Sequence, residues 1–264
     1  MKKQRKLGRG VAIVGAGMSK FGMFQDKDSK DLFVEAFNEM VASVDKGFDP
    51  NDIEALYLGN FSNDFFMHQA HWGPIISDLV GLSPKPATRT EGACASSALS
   101  LREGMFAIAS GFYDIVLVGG VEEMSKKTTA EVAEGLALAT VPYEGKIGFT
   151  FPGVFGAITT SYFAKYGAGR EDLMNITIKS HQNAPLNPKA QFPLTIKDFM
   201  KAKAASAEKK GLPAPQWETE KDFLWDPRAN PAVAWPMHLF DCCPISDGAA
   251  CMPVSYTHLT LPTN

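Results

Sequence analysis

The side chain best suited to covalent chemistry in this sequence is the thiol of Cys94, whose neighbours are all small. Helical spacing follows it over residues 95–110, and Gly111 can end that helix. One face of the predicted helix carries Ala98, Leu101, Met105 and Ile108. Cys94 is therefore expected at a helix N-terminus, where unpaired N–H groups favour a thiolate. Ser96 and Ser97 are expected to cap such groups. The alternative is a buried, apolar-like cysteine.

Strands and helices alternate along the first half of the sequence. Short apolar runs predict strands over residues 11–14, 53–58, 87–90 and 115–118. Helical spacing predicts helices over residues 29–44, 70–82 and 95–110, with Pro74 in the first turn of the second helix. This alternation is typical of an α/β fold with a mainly parallel sheet and helices on both faces. A last strand is predicted over residues 248–254.

The strand over residues 115–118 is predicted to open into a turn at Gly119 and Gly120, followed by Glu122 and Glu123. In open α/β sheets, ligands bind beyond the carboxyl ends of the strands. Cys94 and this turn are therefore expected to face one crevice. Adjacent residues in an extended turn point to opposite sides, so we expect the two carboxylates to serve structure and to accept backbone hydrogen bonds.

Five separated segments resemble the thiolase family and occur in the family's order. They are residues 11–22, 91–97, 118–125, 180–192 and 241–250. The last two look most like the archaeal and sterol-carrier-protein-type branch, which makes acetoacetyl-CoA or cleaves 3-ketoacyl-CoA. The resemblance runs from about Val11 to Val254.

This resemblance implies one half of the αβαβα thiolase sandwich with an inserted loop domain. Residues 1–125 and 238–254 would form the amino-terminal thiolase domain, and residues 126–237 the loop domain. The carboxy-terminal thiolase domain is expected to be absent, which would expose an apolar face and promote self-association. Residues 255–264 do not match the family and are expected to be a non-native tail.

The resemblance also assigns chemistry to residues. Cys94 would take an acyl group from a thioester, and the acyl-enzyme would react with a second acetyl-CoA carbanion. Coenzyme A thioesters are then the substrates, and no separate cofactor is expected. Weaker contacts to coenzyme A are implied for His181, Asn183, Gly120 and Met124. The family's Gly-His-Pro and Cys-x-Gly motifs do not occur in residues 126–264, so this chain is expected to be an inactive fragment.

Composition argues against several other classes of protein. A net charge of -3 provides no electrostatic footprint for nucleic acid, and no apolar run has the length of a membrane span. Adjacent Cys242 and Cys243 are a poor start for a disulfide framework, so a cytoplasmic location is predicted. His68 and His71 lack further ligands for a metal site.

The family resemblance implies a homo-oligomer, either a dimer or a tetramer.

Other interpretations stay open. Gly15 and Gly17 match the first two glycines of a dinucleotide-binding fingerprint, but Lys20 stands where the third small residue belongs. A ketoacyl synthase or hydroxymethylglutaryl-CoA synthase also uses a cysteine on this kind of sheet. A non-catalytic thiolase-like scaffold is the third interpretation. The segment 201–225 departs from the family pattern, and its lysines fit a solvated face better than a phosphate site.

Overall fold

The computed structural model describes residues 8–257 except Gly148 and Ala214, and these residues form two units. The first unit contains the described residues up to Thr128 and those from Ile245 onward, and the second contains Thr129–Pro244. The insertion predicted for residues 126–237 overlaps the second unit, which begins three residues later and ends seven residues later. Of the predicted tail, residues 258–264 lie outside the described residues.

The first unit begins with two short strands and a helix, and strands then alternate with helices. In chain order its elements are β1 (Val11–Ile13), β2 (Gly17–Met18), α1 (Ser29–Ala42), β3 (Ala55–Gly59), α2 (Asn63–Phe66), α3 (Trp72–Leu79), β4 (Ala87–Thr90), α4 (Ser96–Ser110) and β5 (Ile115–Glu122). All the strands and helices predicted for this region occur, with their ends displaced by at most four residues. Asp28 caps α1 by accepting hydrogen bonds from the N–H groups of Lys30 and Asp31.

The second unit is mainly helical, and the chain leaves it as a last long strand. Its elements are α5 (Thr129–Ala137), α6 (Pro142–Lys146), α7 (Phe151–Tyr166), α8 (Arg170–Asn183), α9 (Ile196–Lys209), α10 (Glu220–Trp225), β6 (Ala232–Ala234) and β7 (Met237–His238). The chain then returns to the first unit as β8 (Gly248–Tyr256). β8 is two residues longer than predicted, because Ser255 and Tyr256 pair with β1. Among the described helices, none combines the length and apolar character of a membrane span.

Five strands of the first unit form the path β1-β8-β5-β3-β4, and β2 pairs with β8 beside β1. β3 is parallel to both β4 and β5. β8 is antiparallel to β1, β2 and β5. All the other strands of this sheet therefore run one way and β8 runs the other way, which confirms the expected mainly parallel sheet. β8 follows the second unit and not a single crossover helix, so it is not part of a βαβ unit with parallel strands.

Side chains of the sheet alternate between two apolar clusters, one on each face. Leu56 and Leu58 of β3 belong to the cluster that includes α1 and α3, whereas Ala55 belongs to the cluster that includes Ile108 of α4. This alternation follows from the period of two residues in a strand. Helices on both faces of the sheet were predicted, and the two clusters confirm them.

The second unit has its own core, formed by Met174, Ile196, Phe223, Leu224 and Ala229. Next to it, Arg170 at the start of α8 forms an ion pair with Asp241, and both side chains are almost fully buried. Asp241 also accepts a hydrogen bond from the backbone N–H of His238 at 2.8 Å. A buried charge of this kind needs such partners, since removing one would leave the other unpaired.

Helix α4 buries part of the predicted face: Ile108 is buried and Leu101 packs against the same apolar cluster. Its other buried positions are the small residues Ser96, Ser100, Gly104 and Ala109. The predicted Ala98 and Met105 are exposed. Small residues on the buried face let α4 lie close to the sheet, and a Cβ atom on Gly104 would collide with the side chain of Val118. Apolar character alone therefore indicated only part of the buried face, because the close approach of helix and sheet also favours small residues there.

Gly119 and Gly120 lie within β5, so the predicted turn at this dipeptide is wrong. The strand continues to Glu122 and pairs with β3 and β8 along its length. A Cβ atom on Gly120 would lie 2.9 Å from the carbonyl oxygen of Gly59 and would overlap with the hydroxyl of Ser97. Glycine is required here for the close approach of α4 and not for a change of chain direction.

Replacing Gly59 tests this close approach. A Cβ atom there would lie 2.6 Å from the carbonyl carbon of Ser96 and 2.6 Å from the Cα of Ser97, backbone atoms that cannot rotate away. Gly59→Ala is expected to lower the free energy of unfolding by about 2–3 kcal/mol, measured by urea denaturation. The control is Gly145→Ala in α6, where the nearest atom is 3.5 Å away. Equal stabilities of the two variants would contradict the proposed packing.

Candidate active site

Three parallel strands end at one edge of the sheet, and Asn60 connects their ends. β3 lies between β4 and β5, so their carboxyl ends share the edge at which α/β sheets bind ligands. Asn60 follows β3 directly and is almost fully buried. Its backbone N–H donates to the carbonyl of Thr90 at 3.2 Å, and its Nδ2 donates to the carbonyl of Val121 at 2.8 Å. The only sequence signal for this residue was an asparagine directly after an apolar strand.

Cys94 lies at this edge, in a single 3₁₀ turn over Ala93–Ala95 that connects β4 to α4. Its thiol is free and exposed. The predicted position beside a helix N-terminus is confirmed, and the alternative of a buried cysteine is wrong. Cys251 in β8 shows the contrast, because burial raises the pKa of that thiol to about 12. Unpaired N–H groups at the start of α4 give Cys94 the polar setting of a reactive thiol.

The turn before Cys94 is strained and is held by hydrogen bonds from both ends. Ala93 has φ 48°, in the left-handed region that costs a residue with a side chain about 1–2 kcal/mol. Its N–H donates to Glu91 Oε1 at 2.6 Å. The Ser96 hydroxyl accepts from the N–H of Gly92 at 3.1 Å and donates to the carbonyl of Ala93 at 2.7 Å. The expectation that Ser96 caps the helix is wrong, since its hydroxyl is directed back to the turn and the α4 cap has no side-chain hydrogen bond.

Glu122 closes the same edge at the end of β5. Its carboxylate accepts from the backbone N–H of Phe61 at 2.9 Å and of Ser62 at 3.2 Å. Burial raises the pKa of Glu122, although these two N–H groups and the charge of Arg89 oppose the shift. The expected acceptance of backbone hydrogen bonds is confirmed for this carboxylate.

Glu123 points to the opposite side and is fully buried. It accepts from the backbone N–H of Ser29 at 2.7 Å, at the first residue of α1, and lies 3.0 Å from Lys126 Nζ. The N–H of Glu123 in turn donates to Asn63 Oδ1 at 3.3 Å. A carboxylate at a helix N-terminus is stabilised by the helix dipole, so Glu123 serves structure, as expected.

The two predicted coenzyme A contacts of the first unit lie close together in sequence, near the end of β5. Gly120 is buried within the strand, and Met124 is half-buried just beyond it. The N–H groups of Met124 and Ser125 both donate to Asp247 Oδ1 at 2.8 Å. Asp247 is fully buried directly before β8 and fixes this loop. Its role was missed, although it lies within a segment that resembles thiolases.

The other two predicted contacts, His181 and Asn183, belong to the second unit, whereas Cys94 lies in the first. His181 lies in the last turn of α8, with Nδ1 2.9 Å from the carbonyl oxygen of Leu194. Its ring meets the ring of Phe199 edge-on, with centroids 5.4 Å apart. Asn183 ends the same helix and is exposed. A contact of these residues with coenzyme A stays a prediction.

The remaining histidines of the described chain are not grouped with other metal-binding side chains. His68 has φ 53° in the loop after α2, and His71 immediately precedes α3. The ring of His238 is buried, with Nδ1 3.2 Å from the carbonyl oxygen of Pro236. Within the described part of the chain, no three His, Cys, Asp or Glu side chains come together as a metal site would require.

An exposed thiol among small residues, at a helix start and a sheet edge, has the properties of a nucleophile that attacks a carbonyl carbon. Within residues 8–257, excluding positions 148 and 214, no histidine hydrogen-bonds this thiol. Fold and site therefore define an α/β protein with an exposed cysteine at the carboxyl edge of its sheet.

Comparison with known proteins places this architecture in one family. The sequence profile described as "Thiolase, N-terminal domain" matches residues 11–256, and the chain belongs to the thiolase family. An "Acetyl-CoA acetyltransferase" of Methanothermobacter thermautotrophicus is 36% identical over 247 residues, which are 92% of this chain and 56% of the relative. Human "Sterol carrier protein 2" is 26% identical over 253 residues, 92% of this chain and 40% of that protein. The predicted branch of the family is thus confirmed.

A solved structure shows the same fold. The crystal structure of human mitochondrial 3-ketoacyl-CoA thiolase in complex with CoA aligns with a TM-score of 0.64 and 17% identity, over 95% of this chain and 66% of that chain. The predicted thiolase fold is confirmed. The chain spans about half the length of the curated relatives it matches.

The strain at Ala93 can be measured by substitution. A β-branched side chain is a strong outlier in the left-handed region, so Ala93→Val is expected to lower the free energy of unfolding by about 1–3 kcal/mol in urea denaturation. The matched control is Ala95→Val two residues later, where φ is -96°, and it is expected to cost less than about 1 kcal/mol. Similar losses in both variants would show that Ala93 is not strained.

The raised pKa of Glu122 predicts a pH dependence of stability. The folded chain binds the Glu122 proton more tightly than the unfolded chain does, so this group adds stability as the pH falls through its folded pKa. The gain is complete below the ordinary value of 4.5. Urea denaturation from pH 7 downward should show this gain in the free energy of unfolding for the native sequence. Glu122→Gln should not show it. Parallel pH profiles for the two proteins would contradict the raised pKa.

Proposed function

We propose that this chain carries the nucleophile of a thiolase-type acyl-CoA C-acyltransferase. The observation that carries the proposal is the exposed Cys94 thiol, in a strained turn at the start of α4 and at the carboxyl edge of the sheet. The match to the thiolase N-terminal domain supports the proposal. So does the similarity to archaeal acetyl-CoA acetyltransferases at 36% identity.

In the proposed reaction, Cys94 Sγ attacks the carbonyl carbon of an acyl-CoA thioester. The bond from that carbon to the coenzyme A sulfur breaks, the coenzyme leaves as its thiol and an acyl-cysteine remains. A second acetyl-CoA, deprotonated at its methyl group, then attacks the acyl-cysteine, which forms acetoacetyl-CoA and frees Cys94. In reverse, coenzyme A cleaves a 3-ketoacyl-CoA. Backbone N–H groups at the start of α4, including that of Cys94, are the proposed donors to the oxyanion.

The same reaction requires a base for the thiol and a second acid/base for the methyl carbon. The family resemblance assigns these tasks to Gly-His-Pro and Cys-x-Gly motifs, and residues 126–264 contain neither motif. We infer that both groups come from residues outside this sequence. The 264-residue chain alone is then expected not to turn over.

Coenzyme A thioesters are the proposed substrates, and the solved 3-ketoacyl-CoA thiolase is a complex with CoA. His181, Asn183, Gly120 and Met124 are proposed contacts to the coenzyme, on the strength of the family resemblance alone. A homo-oligomer, dimer or tetramer, is proposed on the same basis. A related condensing enzyme or a non-catalytic scaffold would be revealed by the outcome of the following experiment.

The proposal is tested with the protein expressed from its complete open reading frame, by assaying thiolysis of acetoacetyl-CoA. Cys94→Ser is expected to lower kcat by at least about 1,000-fold, because the acyl-enzyme can no longer form. The control is Cys243→Ser, which removes a thiol that is also exposed and should leave kcat within about twofold. Peptide mass spectrometry after incubation with acetyl-CoA should find one acetyl group, on Cys94.

Three results would overturn the proposal. Thiolysis that persists in Cys94→Ser would exclude the acyl-cysteine mechanism. Absence of both thiolysis and acetylation in the native protein would favour a scaffold. Condensation of acetyl-CoA with a different acyl acceptor, with Cys94 still acetylated, would assign the chain to a related condensing enzyme.

A further inference from the structure

The turn that presents Cys94 is built from small residues, which offer few side-chain atoms for packing. Gly92, Ala93 and Ala95 have at most one side-chain carbon each. Backbone N–H groups of Ala95 and Ser96 donate to the carbonyls of Gly92 and Ala93. The side chains at the two ends of the turn, Glu91 and Ser96, add further hydrogen bonds to it. The carboxylate of Glu91 belongs to an exposed residue, whereas Ser96 is 5% exposed.

The Ser96 hydroxyl bridges the two ends of the Gly92–Ala93 dipeptide. It accepts from the N–H of Gly92 at 3.1 Å and donates to the carbonyl of Ala93 at 2.7 Å. These two groups enclose the left-handed residue, and the Ala93 carbonyl belongs to the peptide bond that enters Cys94. One buried hydroxyl therefore holds the unfavourable backbone conformation directly before the thiol.

Ser96 is itself fixed to the sheet. Its carbonyl accepts from the hydroxyl of Thr90, the last residue of β4, at 3.0 Å. Thr90 Oγ1 also lies 2.7 Å from Ser100 Oγ, one turn further along α4. On its other side, the Ser96 backbone packs on Gly59, where a Cβ atom would lie 2.6 Å from the Ser96 carbonyl carbon. The chain of contacts runs from the strand end through Ser96 to the turn and then to Cys94.

We propose that Ser96 is a positioning residue for the Cys94 nucleophile. This inference rests on the proposed function of Cys94, and it states that the Ser96 hydroxyl sets the position of the thiol through the turn. A serine that only stabilised the helix would direct its hydroxyl to N–H groups of α4, but this one is directed to Gly92 and Ala93. Small displacements of a nucleophile reduce the rate of attack far more than they reduce substrate binding.

The test compares three variants of the complete protein in acetoacetyl-CoA thiolysis. Ser96→Ala should lower kcat by about 10- to 100-fold while KM stays within about twofold, because binding groups are unchanged and alignment is lost. Ser96→Thr keeps the hydroxyl and should restore most of kcat. The matched control is Ser97→Ala, the next residue of α4, which is exposed and whose hydroxyl makes no described hydrogen bond to the turn. It should stay within about twofold of the native protein.

A second measurement, on the 264-residue chain, does not require turnover. Iodoacetamide alkylation of Cys94 is followed by peptide mass spectrometry, with exposed Cys243 as the internal reference. Ser96→Ala should slow alkylation of Cys94 relative to Cys243 by at least about threefold, since the thiol leaves its place beside the N-terminus of α4. Urea denaturation of each variant shows that the chains compared are folded.

The two proposals fail in different ways. If kcat and the alkylation ratio of Ser96→Ala match those of the native protein, Ser96 has no positioning role, although Cys94 can still be the nucleophile. An equal loss in Ser97→Ala would also overturn the inference, because it would indicate a general effect on α4. Persistent thiolysis in Cys94→Ser would overturn the proposed function whatever the Ser96 variants show.

Discussion

The close approach of α4 to the sheet is the constraint on which the rest of the first unit depends. Gly59 and Gly120 leave no space for a side chain beneath the first turn of α4, and Gly104 does the same further along the helix. With these positions filled by glycine, the start of the helix lies over the carboxyl ends of β3 and β5. Cys94 directly precedes that start, so its place at the edge follows from the packing of the helix. The position of Cys94 thus depends on the small size of three residues that carry no reactive group, Gly59, Gly104 and Gly120.

At the carboxyl edge of the sheet, beyond the apolar core, polar side chains form hydrogen bonds with backbone groups. Strand ends leave backbone N–H and C=O groups without partners in the sheet, and leaving such groups buried and unpaired is unfavourable. Asn60, Glu122 and Asp247 each satisfy two or more of these groups with one side chain. The adjacent carboxylates of Glu122 and Glu123 both accept backbone hydrogen bonds in this way. Burial keeps the pKa of Glu122 raised, because its hydrogen bonds do not fully replace the water it has lost.

Most elements of the first unit could be predicted from the sequence, because periodicity reports on burial over many residues at once. The strand at Ala87–Thr90 and the helix beginning at Ser29 occur where the pattern placed them. Two of the errors share a physical cause. The buried face of α4 and the Gly119-Gly120 dipeptide both depend on how closely a helix and a strand approach, and this distance is a property of the pair and not of either segment. The Gly119-Gly120 dipeptide was interpreted as a turn, whereas Gly120 allows α4 to pack closely on the strand.

Only those features of the site that depend on neighbouring residues in the sequence could be predicted. A cysteine among small residues before a helical run predicts a thiol beside a helix N-terminus, and Cys94 lies there and is exposed. Its role as a nucleophile stays a proposal. Because the residues around Cys94 are small, few side chains can pack against the turn. Hydrogen bonds must then help to hold Ala93 in its left-handed conformation. A polar side chain at the start of the helix can reach both ends of the Gly92–Ala93 dipeptide. Ser96 meets that requirement, because it is the first residue after the turn that is anchored to the sheet.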